Sequence, residues 1–526
     1  MPLLKRNPAV LFALLGLAAC APAAVGPVPG APAPAEGLPP IPTAEGPLAI
    51  RVVYPTPATP RPRVDSTFVF GSVGSGRASL VINGTPVTVA PNGAFLAYLP
   101  VPADGTYRLV AEGAGQRTEA AAAYRAPPAP APAGAAPTPP VRTEIFPAPV
   151  MVRVSGGADT LATGSDVAAG APTLTADRVW QLPRGARLVA TARRANQTRV
   201  SLAGTEAWFA DSLLTSETAP SEPRTAAGAV RLRPAAEYVD VQLPVSFAPF
   251  RVHAGRDTVG ITVYGRIPAA GAVPVAGERL FTGAAWRPAA GDSARLDLAL
   301  ARPLWGFKAF YEADGTLVLR VRRPPRVDAG RPLEGVRVLV DPGHPPLGAV
   351  GPTGLTEADA NLAIGLRLAE RLRERGAEVV MTRVDDTPLV SRTDVAAELA
   401  ARTALAVRSD AHLLVSVHNN AFPEGINPFV SAGTETYYFY PFAAELAQAL
   451  NREIVDATRI RNLGAKRRSL ALARPTWMPS TLTESLFMMI PEQEAALRNP
   501  AFLDRLADAH LRGIEAFVRE RGESVR

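Results

Sequence analysis

Residues 338–357 read VLVDPGHPPLGAVGPTGLTE, an apolar strand run that stops at Asp341-Pro342-Gly343-His344 and passes into a loop rich in Gly and Pro. A hydrophobic run ended by turn formers puts His344 at the carboxyl edge of a buried strand, where open α/β sheets place their chemistry. Thr356 reads as an N-cap with Asp359 in the first turn, so Glu357 is expected at a helix start rather than on a loose loop. A second histidine closes the run HLLVSVH at 412–418, and Asn419 and Asn420 follow it. Two imidazoles and one carboxylate, on two strand ends and a helix start, make a three-ligand zinc set with the fourth position free, which permits catalysis. His412 would stand about 20 Å from His418 along a strand, too far to share the ion.

Outward from this stretch the periodicity predicts an alternating series. Strands are expected over 336–340, 377–382, 413–417 and 434–439, with short ones at 470–473 and 481–483. Helices are expected over 357–375, 392–407, 442–458 and 503–519. Leu362, Leu366, Ala369 and Leu372 are read as the buried face of the first helix, with Arg371, Arg373 and Arg375 favouring its carboxyl end. Alternation of this kind predicts a C-terminal α/β domain over 335–523, an open and mostly parallel sheet with helices on both faces, preceded by all-β modules. Glu484 closes the last strand beside Phe487. A carboxylate is costly to bury there unless it has a task, and proton transfer is such a task.

The amino-terminal half reads differently. Residues 1–20 carry Lys5 and Arg6, then an apolar core too short to span a bilayer, then Leu17-Ala18-Ala19-Cys20, and they resemble a bacterial lipoprotein signal. The resemblance implies acylation of Cys20, the single cysteine of the 526 residues, and lipid anchoring in the bacterial cell envelope on the extracytoplasmic or periplasmic side. Residues 21–47 are a Pro/Ala-rich tether and 126–141 a second linker. Residues 48–125 alternate as short strands and suggest an immunoglobulin-like β-sandwich. Residues 142–216 resemble an SH3-like β domain, with Trp208 read as a core filler. Residues 228–327 alternate cleanly and end in GTLVLRV, similar to the wall-targeting AMIN domain. His253 has no partner visible in the sequence and is read as a surface residue, and His510 as non-functional.

The formal charge is +7, from 55 Lys and Arg against 48 Asp and Glu, and the basic residues are scattered through an Ala-, Pro- and Arg-rich chain. No nucleic-acid motif accompanies them, so nucleic acid is excluded as a partner class.

The 335–523 region resembles the zinc-dependent N-acetylmuramoyl-L-alanine amidases of the Amidase_3 family. The matching segments are DPGH at 341–344, GLTE at 354–357, NLAIGLRLAERLRERGAEVVMTR at 361–383, SVHNNA at 416–421, GTETYYF at 433–439 and the strand ending in Glu484. The resemblance implies zinc ligands at His344, Glu357 and His418 and a catalytic carboxylate at Glu484. The substrate it implies is the amide between N-acetylmuramic acid and L-alanine in peptidoglycan. Asp341 is read either as orienting a ligand or as capping a turn. The family usually has two glycines after its first histidine, where Pro345 and Pro346 stand here, and Leu486-Phe487 and Ile490-Pro491 replace its usual Gly-Phe and Asn-Pro. Residues 440–464 leave room for one framework helix and none for an inserted plug. Two other functions stay open: a zinc peptidase cutting within the stem peptide, and a non-catalytic wall-binding scaffold. Divisome or other envelope proteins are expected partners of the β modules.

Overall fold

The computed structural model describes residues 37–56, 61–125, 143–155, 162–163, 181–182, 185, 187–202, 205–217, 228–245, 248–264, 270–290, 293–346 and 348–524. The signal segment with Cys20, the tether up to 36 and the 126–141 linker lie outside them.

Residues 51–123 form two antiparallel sheets. One has the order Arg51–Tyr54, Ser66–Ser72, Ala94–Pro100; the other runs Thr85–Val87, Ser79–Ile82, Thr106–Gly113, Gln116–Ala123. The alternation read from the sequence sets their facing sides: Tyr107, Leu109 and Ala111 point into a core with Phe68, Phe95, Leu80 and Ile82. Asn83 and Gly84, at φ 48° and 81°, join one hairpin, the residue pair that two-residue turns with positive φ require. Between 144 and 217 a five-stranded antiparallel sheet surrounds Val152, Val154, Leu188, Val200 and Phe209. Trp208 is 5 % exposed, and the Arg194 guanidinium lies 4.4 Å from its ring centre. Residues 231–322 make a four-stranded and a five-stranded sheet around one apolar core. His253 is half-buried there and Nε2 lies 2.9 Å from Thr262 Oγ1, so it is a paired residue and not a surface one.

The C-terminal region contains β1 (Arg337–Pro342), α1 (Glu357–Glu374), β2 (Glu378–Met381), α2 (Val395–Arg408), β3 (Leu413–Asn420), β4 (Thr434–Tyr438), α3 (Ala444–Thr458), β5 (Asn462–Arg467), β6 (Ser480–Phe487), α4 (Pro491–Leu497) and α5 (Pro500–Arg521). The sheet order is β2-β1-β3-β6-β4-β5, parallel at every pair except the antiparallel β6–β4. Val338, Val340, Val415 and Val417 face α1, α3 and α5, while Leu339 and Leu414 face Ala406 of α2 together with Leu472 and Trp477. Strands covered on both faces are apolar at successive positions, which is why β1 and β3 read as continuous runs.

Several local expectations are corrected. Residues 470–473 are not a strand: Ala471–Ala473 is a 3-10 turn. The buried stripe of α1 is Ile364, Leu368 and Leu372, a strict i, i+4 row, whereas Leu366 is 40 % exposed. Glu484 does not end its strand; β6 continues to Phe487. The β unit over 231–322 packs directly on the C-terminal region. Trp305 Nε1 donates to His412 O at 2.9 Å, and the buried Arg322 donates to Ala411 O at 2.5 Å and Asp410 O at 2.9 Å. No helix among the described residues is long and apolar enough to cross a membrane.

Candidate metal and catalytic centre

β1, β3 and β6 are adjacent and parallel, so the residues at their carboxyl ends meet. Thr356 caps α1, its side chain accepting from Asp359 N at 3.1 Å, which starts the helix at Glu357 beside the same edge. His344 Nε2 lies 3.1 Å and His418 Nδ1 3.0 Å from Glu357 Oε1. The two imidazoles are near-perpendicular with centroids 4.9 Å apart. One ligand atom from each of the three side chains falls within 4.8 Å of the others. Two imidazoles and a carboxylate at this separation fit a single divalent cation with nitrogen and oxygen ligands.

The surroundings hold these three residues in place. Gly343 donates to Val417 O at 2.9 Å, and a Cβ at Gly343 would stand 2.2 Å from the His418 ring, so only glycine lets the ring lie there. His344 sits at φ 62°, an uncommon backbone region for a side-chain-bearing residue. Two buried arginines secure that turn. Arg402 donates to His344 O at 3.1 Å and Pro345 O at 2.8 Å, and Arg383 to Pro342 O and Gly343 O, each at 2.9 Å. Asp341 faces away from the three side chains and takes Arg402 at 3.1 Å, Thr382 Oγ1 at 2.7 Å and Ser416 Oγ at 2.5 Å. It supports the arginine that supports His344. Glu357 Oε2 accepts from Ala349 N at 3.0 Å, and Asn361 donates to Oε1 at 3.3 Å and to Gly343 O at 3.2 Å. The turn before Glu357 hangs on Glu494 of α4, which accepts from Thr353 N at 2.9 Å and Leu355 N at 3.0 Å.

Glu484 pairs in register with His418 on one side and Glu435 on the other. It is half-buried, and its Oε2 is enclosed without a hydrogen-bond partner. Burial, then the charges of Glu357 and Glu435, push its carboxyl well above the usual carboxylate range. Glu435 is itself satisfied, by Asn420 at 2.9 Å, Tyr437 OH at 2.5 Å and Lys466 Nζ. For Glu357 burial opposes ionisation, but the hydrogen bonds and charges of the two histidines outweigh it and hold its carboxyl far below the usual range. Burial likewise opposes a charged His344, and the Glu357 contact reverses the sign and raises its pKa. One carboxylate is thus held ionised among imidazoles while its neighbour is pushed toward the protonated form, a division suited to ligation and to proton transfer.

His412 and His510 stay outside the centre. His412 Nδ1 accepts from Arg337 N at 3.0 Å at the far end of β3; His510 is fully buried in α5, its Nε2 3.0 Å from Thr483 Oγ1. The sequence reading missed Arg402, Glu494, Asn361, Glu435 and Lys466. Asn361 at the start of NLAIGLRLAERLRERGAEVVMTR and Glu435 inside GTETYYF were the available signals.

A family profile described as N-acetylmuramoyl-L-alanine amidase (Amidase_3) matches residues 338–516. The chain is 32% identical over 208 residues to the germination-specific N-acetylmuramoyl-L-alanine amidase of Bacillus subtilis (strain 168), covering 36% of this chain and 84% of that protein. It is 32% identical over 199 residues to the protein YqiI of the same strain, covering 37% and 90%. Among solved structures it is similar to an N-acetylmuramoyl-L-alanine amidase from Clostridium difficile 630, at 31% identity and TM-score 0.33, covering 36% of this chain and 100% of that one.

Proposed function

The chain belongs to the N-acetylmuramoyl-L-alanine amidase family, and from that premise we propose that it is a zinc-dependent hydrolase of the amide joining N-acetylmuramic acid to L-alanine in peptidoglycan. The observation that carries this reading is the meeting of His344, Glu357 and His418 within 4.8 Å beside a register-paired Glu484 whose Oε2 has no partner. The three ligating residues would hold one zinc ion, which when bound supplies Lewis acidity and brings the pKa of a water in its open position toward neutrality.

The protein's own groups do the rest. Glu484 takes a proton from the attacking water and gives one to the amine of alanine as the C–N bond breaks, leaving a lactyl carboxylate and a free amino terminus. Burial and the neighbouring carboxylates raise its pKa above the ordinary carboxylate range, the direction in which a carboxyl becomes able to return a proton as well as accept one. Asn361 and the Ala349 amide fix the Glu357 carboxylate, and Arg402 fixes the turn bearing His344. In the same reading Cys20 carries a lipid anchor in the cell envelope. Residues 48–125, 142–216 and 228–327 are immunoglobulin-like, SH3-like and AMIN-like units that bring the enzyme to the wall and to envelope partners.

Mass analysis of fragments released from purified peptidoglycan by the zinc-loaded protein tests the proposal. The expected products are stem peptides with a new amino terminus at L-alanine. A cut between two amino acids would replace the reading with a stem-peptide peptidase, and no cut with a wall-binding scaffold.

A further inference from the structure

The β unit over 37–125 touches the segments flanking three of the four groups at the centre. Before Glu357, the Arg51 guanidinium lies against Gly354, where an added Cβ would come within 3.1 Å of it. After His418, Glu424 accepts from Tyr54 OH at 2.9 Å and from Arg61 Nη1 at 3.1 Å, and Tyr98 OH donates to Gly425 O at 2.9 Å. After Glu484, Met489 is 2 % exposed within the apolar core of the β unit, and Phe422 packs against that core while stacking on Phe487 at 4.2 Å.

A passive spacer needs no such contacts. The Arg61 and Glu424 side chains are only 23% and 16% exposed, and Arg61 also lies over the Tyr54 ring at 4.8 Å. A shielded carboxylate shared by a hydroxyl and a guanidinium is specific in geometry and costly to leave half-made. Loops beyond strand ends are otherwise among the segments that open most readily.

We propose that the first β unit is a fixed wall of the catalytic cleft and that Glu424 is a positioning residue, setting the rim loop 421–427 that leaves the His418 strand. Its kinetic consequence rests on the amidase reading; its structural consequence does not. Glu424 contacts none of the ligating or proton-carrying groups, so its loss leaves the chemical step intact and loosens the surface the substrate must fit.

The test uses the full chain with Glu424→Ala, Glu424→Gln, and Tyr54→Phe combined with Arg61→Met. Expected for Glu424→Ala are a roughly tenfold rise in KM for peptidoglycan with kcat within about twofold, and roughly tenfold faster hydrogen exchange of the amides of 421, 422 and 424–427. Glu424→Gln, which keeps an acceptor for Tyr54, restores most of the KM. Tyr54→Phe combined with Arg61→Met reproduces the Glu424→Ala effect, and a further variant that joins all three changes is little worse than Glu424→Ala alone. Unchanged exchange, or unchanged KM with loosened exchange, overturns the proposal. If the wild-type chain cleaves no amide the amidase reading fails, and exchange at 421–427 alone then decides whether the β unit fixes the loop.

Discussion

His412 immediately precedes one strand, β3, and His418 lies near its carboxyl end, and the two ends of that strand show what distinguishes a structural polar cluster from a chemical one. At the amino end every polar group is answered. Arg337 N donates to His412 Nδ1, Asp410 takes Trp477 Nε1 and Arg337 Nη2 at 2.5 Å each, and Arg322 covers the neighbouring carbonyls. At the carboxyl end two histidines share one carboxylate oxygen, and Glu484 Oε2 is enclosed with no partner. Folding alone would select against that second arrangement, because an unpaired buried carboxylate is costly. The first cluster joins the β unit over 231–322 to the sheet; the second holds the groups that the proposed ligation and proton transfer require.

The largest expected effect that separates the ends is kinetic. Glu484→Gln should lower kcat by about 10²–10⁴-fold, on the order of 3–5 kcal/mol of barrier, with metal content unchanged. Steady-state rates with metal analysis check this, and full activity would remove Glu484 from its role. At the opposite end Arg322→Ala should cost roughly 2–4 kcal/mol of stability, since it strips three carbonyls and leaves Asp410 short of a partner, yet kcat at low temperature should hold. Denaturant unfolding beside activity reads both. A smaller effect is expected with pH, and the ends should respond with opposite signs. Burial, then Arg322 and Arg337, lower the His412 pKa to about 3, below its ordinary 6.5. The unfolded chain therefore takes up the proton first, and stability present above pH 6.5 is lost as pH falls toward 3, by about 1–2 kcal/mol between pH 7 and 5. His344 in the metal-free chain is raised, so its contribution is present below 6.5 and lost as pH rises through its folded value. Unfolding at several pH values should show His412→Asn flattening the acid limb and His344→Asn the alkaline one.

The carboxyl end was the more legible one. His344 and His418 each close an apolar run and Glu357 follows a cap, so these positions announce themselves through composition, whereas Glu484 is visible as a carboxylate in an apolar strand that continues past it to Phe487. The residues that support them did not. Arg402 and Glu494 lie on helix faces where Arg and Glu are ordinarily solvated, and only the tertiary arrangement turns them inward. β5, NLGAKR, has no alternation to reveal it because it is an edge strand with little burial, and α4 is one short helix behind a proline. The i, i+4 pair Leu362 and Leu366 points to one face of α1, whereas the row that packs is Ile364, Leu368 and Leu372 on the adjoining face. The docking of the β units escaped altogether, since contacts such as Tyr54 with Glu424 join residues that no local period connects.

Zinc stoichiometry across four full-length proteins tests the central claim most directly. About one ion per chain is expected in the wild type and in His412→Ala, and essentially none in Glu357→Ala or His418→Ala, all four remaining folded by circular dichroism. Zinc retained at full stoichiometry without Glu357 or His418, or lost on changing His412, would contradict the assignment of the centre to the carboxyl end of the sheet.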